Sequence, residues 1–135
     1  MKKIIKNNLI LQTPLPEHAK QQAELQGIVF PTLSAEELIT EEKYKRHLEV
    51  FPEGQMIVLD GDKVIASCTT LRQNYHKGHH TFLEISDDLW IGTHDPNADW
   101  IYGLDVSVHP DYQGQGIGRE IYNARQEVAK QLGCK

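Results

Sequence analysis

The segment from Leu104 to Arg119, Leu-Asp-Val-Ser-Val-His-Pro-Asp-Tyr-Gln-Gly-Gln-Gly-Ile-Gly-Arg, constrains the fold more than any other part of the chain. Alternation through Val106 and Val108 marks a strand. Pro110 breaks it, and a loop carrying Gly114, Gly116 and Gly118 opens directly into a helix. Ile117, Ile121, Ala124, Val128 and Leu132 trace one helical face at spacings of four, three, four and four. Gly133 supplies the cap that ends it.

Glycines let the backbone approach a ligand closely and turn successive N–H groups into one concavity. The helix N-terminus adds a partial positive charge of about 0.5. Together these features make a pyrophosphate cradle; the plainer alternative is a glycine-rich turn with no ligand. Two other phosphate motifs fit badly. A Walker loop needs Gly-Lys followed by Ser or Thr, and position 119 is arginine. The dinucleotide fingerprint needs Gly-x-Gly-x-x-Gly inside a βαβ unit, whereas the spacing here is Gly-x-Gly-x-Gly and no strand follows.

The rest of the chain frames this unit. Asn8 to Thr13 reads as a short first strand. Pro16 opens a helix expected to end at Gly27. Ser34 and Glu37 have capping-box spacing, and residues 35–51 hold one or two helices with Tyr44, Leu48 and Phe51 on one stripe. Gln55 to Leu59 is a strand, Asp60-Gly61-Asp62 a hairpin turn, and Lys63 to Leu71 the returning strand, with Val64, Ala66 and Cys68 expected on one face. Arg72 to Asn97 is a long connection of weak periodicity, a length that often carries function. Asp99 to Val108 returns to strand character. With 135 residues, 39% of them hydrophobic and 24% charged, the chain fits one domain with a core of its own. The layout is mixed α/β.

Gln113, Gly116 and Gly118, read as Gln-x-x-Gly-x-Gly after Val-x-Val-His-Pro, resemble motif A of the GNAT N-acetyltransferases. The upstream order of strand, helices and antiparallel strands resembles the first half of that fold. The stretches His47-Leu48-Glu49-Val50-Phe51-Pro52-Glu53-Gly54-Gln55 and Thr93-His94-Asp95-Pro96 resemble the GNAT domains found upstream of nitrilase-type hydrolases. The resemblance implies acetyl-CoA as co-substrate, lying across the end of the strand before the loop. Val106 and Val108 would offer backbone groups to the acetyl and pantetheine portion. Gln113, Gly114, Gly116, Ile117, Gly118 and Arg119 would cradle the pyrophosphate. The family often places arginine or lysine where this chain has Gln113 and Gln115, so binding here is expected to lean on backbone amides, the helix terminus and Arg119.

The implied reaction is direct attack of a primary amine on the thioester in a ternary complex. Asp105 is the acid nearest in sequence to the reacting end, and a candidate base. Its strand parity is opposite to Val106 and Val108, so it points away unless a bulge re-aims it; a paired strand aspartate is the alternative. Glu84 in the long connection is a second candidate, against a surface charge. The resemblance leaves two functions open: an N-acetyltransferase, or a non-catalytic CoA-binding or regulatory module.

Other features carry less. His76, His79 and His80 are read as a solvated loop rather than a metal site, and no metal is expected. Residues 84–111 hold seven acids (Glu84, Asp87, Asp88, Asp95, Asp99, Asp105 and Asp111) and no lysine or arginine, a lip that would attract a cationic amine unless the acids are simply solvated. Trp90, Trp100 and Tyr102 line either an acceptor pocket or the core. Cys68 reads as a buried small hydrophobe. A net charge of −5 argues against a nucleic-acid partner. No apolar run approaches the roughly 20 residues of a membrane span, and a cytoplasmic location is expected. A complete domain of the resembled family continues past its motif A helix. Residues 1–135 are therefore expected to be one GNAT-like domain lacking its C-terminal strands and helix, with a homodimer able to cover the open sheet edge.

Overall fold

The computed structural model describes residues 2–34, 38–74, 90–91 and 94–134. Five strands form one sheet in the order β1 (Lys2–Ile4), β2 (Ile10–Gln12), β3 (Met56–Asp60), β4 (Lys63–Arg72) and β5 (Ile101–Val108). Each pairs antiparallel with its neighbour. Among the described residues three α-helices cover the sheet: α1 (Ala19–Val29), α2 (Glu41–Val50) and α3 (Ile117–Leu132).

The strand period of two sorts the core into two layers. On one face, Met56, Val58, Ala66 and Cys68 pack with Ile117, Ile121, Ala124 and Val128 of α3. On the other, Ile57, Leu59 and Val64 pack with Leu25 of α1. Ala19, Ile39 and Tyr44 then join α1 to the α2 region. Both faces of β3 and β4 are thus covered, which explains why burial runs almost unbroken along both strands, Ser67, Thr69 and Thr70 included. The α3 stripe is the one its spacing predicts. Ile121 is fully buried in it, a burial worth about 1.5–3 kcal/mol.

Local expectations are corrected in three elements. The first strand shortens to Ile10–Gln12, and the basic start of the chain forms β1 beside it. The turn between them places Asn7 and Asn8 at φ 59° and 61°, a region asparagine tolerates. Gly27 does not end α1: the helix runs on to Val29, because Val29 packs with Leu25, Ile57 and Leu59. Residues 16–18 form a separate 3-10 turn before it.

Val64 does not share a face with Ala66 and Cys68. The β3–β4 register passes from Val58↔Ala66 to Leu59↔Val64, so Ile65 is an extra residue. That bulge turns Ile65 and Ala66 toward α3 and leaves Val64 toward α1. The capping pair expected at Ser34 and Glu37 is not tested, because Glu37 lies outside the described residues; α2 itself is capped by Thr40, whose hydroxyl accepts from Lys43 N–H at 3.4 Å. The Asp60-Gly61-Asp62 turn forms as read, with Gly61 at φ 62°.

Candidate cofactor site

The glycine loop is held at both ends. Its entry is the Pro110–Tyr112 turn, where His109 Nδ1 accepts from Asp111 N–H at 3.1 Å. Tyr112 hydroxyl donates to the Asp60 carboxylate on the β3–β4 hairpin. Its exit is α3, anchored by buried Ile117 and Ile121. Between these anchors Gly114 and Gly116 take φ of 80° and 81°, conformations that cost a side-chain-bearing residue about 1–2 kcal/mol.

The helix ladder begins with Glu120 N–H on Gly116 oxygen at 3.1 Å. The N–H groups of Ile117, Gly118 and Arg119 precede it and have no acceptor among the described residues. A Cβ built on Gly114 or Gly118 would meet nothing within 4 Å. The loop therefore presents unpaired donors under open space, which is what an anion needs at a helix N-terminus. Gln113 folds back instead, its side-chain amide donating to Val108 oxygen at 3.0 Å. Arg119 is exposed at the rim.

Strand β5 is an edge strand among the described residues. His109 N–H bonds Ile65 oxygen at 2.8 Å, and Ser107 pairs with Ser67. By the antiparallel alternation, the backbone groups of Val106 and Val108 point away from β4 to the free edge. A second bulge interrupts β5, where the register passes from Thr69↔Asp105 to Thr70↔Gly103. Leu104 is its extra residue.

That bulge does not re-aim Asp105. Val108 packs with the α3-side core, whereas Asp105 faces α1. Gln26 Nε2 donates to Asp105 Oδ2 at 2.8 Å and to Ser107 Oγ at 3.1 Å, and Ser107 Oγ donates to the same Oδ2 at 2.9 Å. Oδ1 has no hydrogen bond among the described residues. Burial pushes the Asp105 carboxyl up to about 6, against the pull of these two donors. Gln22 donates to Ser67 Oγ at 2.9 Å nearby. Tyr44 is buried close to Asp105, and its hydroxyl has no hydrogen bond of good geometry among the described residues; burial and then Asp105 hold its pKa well above the phenol range.

Other sequence candidates separate. Glu84, Asp87, Asp88, His76, His79 and His80 lie outside the described residues. The four remaining acids of the expected lip have separate surroundings: Asp95 accepts from Asn97 N–H at 2.9 Å, Asp99 donates its backbone N–H to Asn74 Oδ1 at 3.0 Å, Asp111 lies 3.8 Å from His109, and Asp105 is turned to α1. Trp90 and Trp100 are exposed rather than core. Cys68 is fully buried, and burial pushes its thiol up to about 12, so it is no nucleophile.

Two cations were missed by the sequence reading. Arg125 of α3 lays its guanidinium against Gly103, with Nε buried and without a hydrogen bond among the described residues. Lys6, from the β1–β2 turn, puts Nζ over Gly116, 2.9 Å from where a Cβ would stand. More than a hundred residues separate Lys6 from the loop, and no local pattern reveals that contact. Among the described residues no helix is long and apolar enough to cross a membrane.

The acetyltransferase (GNAT) family model matches residues 23–135. The chain is 40% identical over 91 residues to the probable hydrolase YhcX of Bacillus subtilis, a match over 66% of this chain and 18% of that protein. It is 32% identical over 107 residues to the uncharacterized N-acetyltransferase YkwB of the same organism, over 77% of this chain and 47% of that one. The chain thus spans less than half the length of either relative. Among solved structures, the loading GNATL domain of CurA from Lyngbya majuscula superposes at a TM-score of 0.79 with 20% identity, covering 96% of this chain and 62% of that one. YncA, a putative acetyltransferase from Salmonella typhimurium solved with acetyl-CoA, superposes at 0.61 with 12% identity, covering 95% and 66%. At these identities the likeness is one of fold.

Proposed function

The chain belongs to the acetyltransferase (GNAT) family, and from that premise we propose that it binds acetyl-CoA and transfers the acetyl group directly to a primary amine. The observation that carries this reading is the glycine loop: unladdered N–H groups at Ile117, Gly118 and Arg119 beneath open space at Gly114 and Gly118. In this reading Gln113, Gly114, Gly116, Ile117, Gly118 and Arg119 hold the diphosphate. The pantetheine arm runs along the free edge of β5, where Val106 and Val108 offer backbone groups.

Holding both reactants on one strand edge removes much of the entropic barrier to their reaction. Val106 N–H, aimed at that edge, stabilises negative charge on the thioester oxygen. The amine nitrogen bonds to the carbonyl carbon as the carbon–sulfur bond breaks. Asp105, reached through water, accepts the amine proton and returns it through water to the departing thiolate of CoA, which leaves as the thiol. For Asp105 this is a cycle from carboxylate to acid and back. Its raised pKa suits a base that works just above pH 6. The two free cysteines, Cys68 and Cys134, fit a reducing cytoplasm.

A second reading has one observation behind it. YhcX, 40% identical, is described as a probable hydrolase of which this chain spans 18%, so a CoA-binding module serving an attached enzyme is the alternative. Thiol release from acetyl-CoA across a panel of primary amines separates the two. Amine-dependent release supports the transferase; acetyl-CoA binding with no release from any amine overturns it in favour of the module.

A further inference from the structure

We propose that Lys6 is a diphosphate-binding residue of this site, brought to the glycine loop by the β1–β2 hairpin. The proposal rests on the acetyl-CoA reading above and adds a residue outside the strand–loop–helix motif. Four observations converge on it. Lys6 Nζ stands over Gly116, the N-cap residue of α3. Asn7 Nδ2 donates to Gln115 Oε1 at 3.4 Å, so the hairpin tip touches the loop a second time. Ile5 and Leu9, on either side of the tip, are buried in the same cluster as Ile117, which fixes the tip against the start of α3. Among the described residues no carboxylate pairs with Lys6, although ion pairs form elsewhere, as between Lys45 and Glu41.

The electrostatics give the arrangement its meaning. The N-terminus of α3 is already positive. Placing an unpaired ammonium beside it is unfavourable until an anion bridges the two. A diphosphate does so by accepting from the Ile117, Gly118 and Arg119 amides on one side and from Lys6 on the other. This offsets the glutamines at positions 113 and 115, because the missing cation arrives from the N-terminal hairpin. Gly116 is then required for room as well as for its φ of 81°, since any side chain there displaces the ammonium.

The test is calorimetric titration of the full chain with CoA and with 3′-dephospho-CoA, for wild type, Lys6→Gln and Lys6→Arg, with Gly118→Asp as control. Lys6→Gln is expected to weaken both ligands alike, roughly ten-fold for one lost charge-assisted bond. It should also flatten the fall of affinity with added salt, leave the ligand-free protein at least as stable to heat because a cation is removed from the positive end of α3, and be largely rescued by arginine. If only CoA weakens, Lys6 serves the 3′-phosphate and the diphosphate assignment is overturned. If neither weakens while Gly118→Asp abolishes binding, Lys6 has no role and the acetyl-CoA reading stands. Failure of wild type to bind CoA overturns that reading and this role together.

Discussion

Gln26 of α1 donates to Asp105 of β5 across 2.8 Å, and this bond holds the acid nearest the proposed acetyl site toward α1 rather than toward α3. Burial raises the folded-state pKa of Asp105 from 3.8 to about 6. The folded chain therefore holds this proton more tightly than the unfolded chain. Its contribution to stability is complete below pH 4 and is lost as pH rises through about 6. Asp105→Asn removes that loss. Denaturation at pH 4 should show little difference between variant and wild type, and at pH 7 the variant should be more stable. The gain is at most about 3 kcal/mol, less where water reaches the carboxylate. If Asp105 is the base, the same variant loses about 10²–10⁴-fold in amine acetylation, and wild-type kcat/KM falls below about pH 6.

Gly118 and Gly114 separate folding from binding. Both face open space, but only Gly114 has a positive φ. Gly118→Ala should stabilise the first turn of α3 by up to about 1 kcal/mol. It should also weaken acetyl-CoA roughly ten-fold, or ~1.4 kcal/mol, because its methyl stands in the space proposed for the diphosphate. Gly114→Ala should cost about 1–2 kcal/mol in stability. Thermal melts and calorimetry on both variants check the opposite signs.

Gly54 is required for packing rather than chemistry. A Cβ there would overlap the Phe51 ring and Thr70 Oγ1. Phe51 is 1% exposed, and Thr70 Oγ1 already donates to Gly54 oxygen at 2.8 Å, so neither neighbour can move freely. Gly54→Ala should therefore destabilise by about 1–3 kcal/mol, read as a fall in Tm of roughly 5–15 °C.

What the sequence made legible was periodic or local. The α3 stripe from Ile117 to Leu132, the Asp60-Gly61-Asp62 turn and the left-handed glycines all obey rules that operate within a few residues. What it hid depends on partners far along the chain. Ile65 becomes a bulge only against β3, so alternation assigned Val64 to the wrong face. Gly27 continues α1 because Val29 finds the sheet, which outweighs glycine's weak helix propensity. Lys6 reaches Gly116 through a hairpin whose only signal was Asn7-Asn8 between two apolar segments. The parity of Asp105 was read correctly, whereas its partner Gln26 lies on a helix with no marked spacing to it.

The central claim is that the backbone of the glycine loop holds the diphosphate of acetyl-CoA. Titration of isotope-labelled protein with acetyl-CoA, followed by backbone amide NMR, tests it most directly. The account predicts saturable shifts largest at Gly114 to Arg119, with Val106 and Val108 moving at the same ligand concentration. Saturable binding that leaves Gly114 to Arg119 unshifted would contradict it.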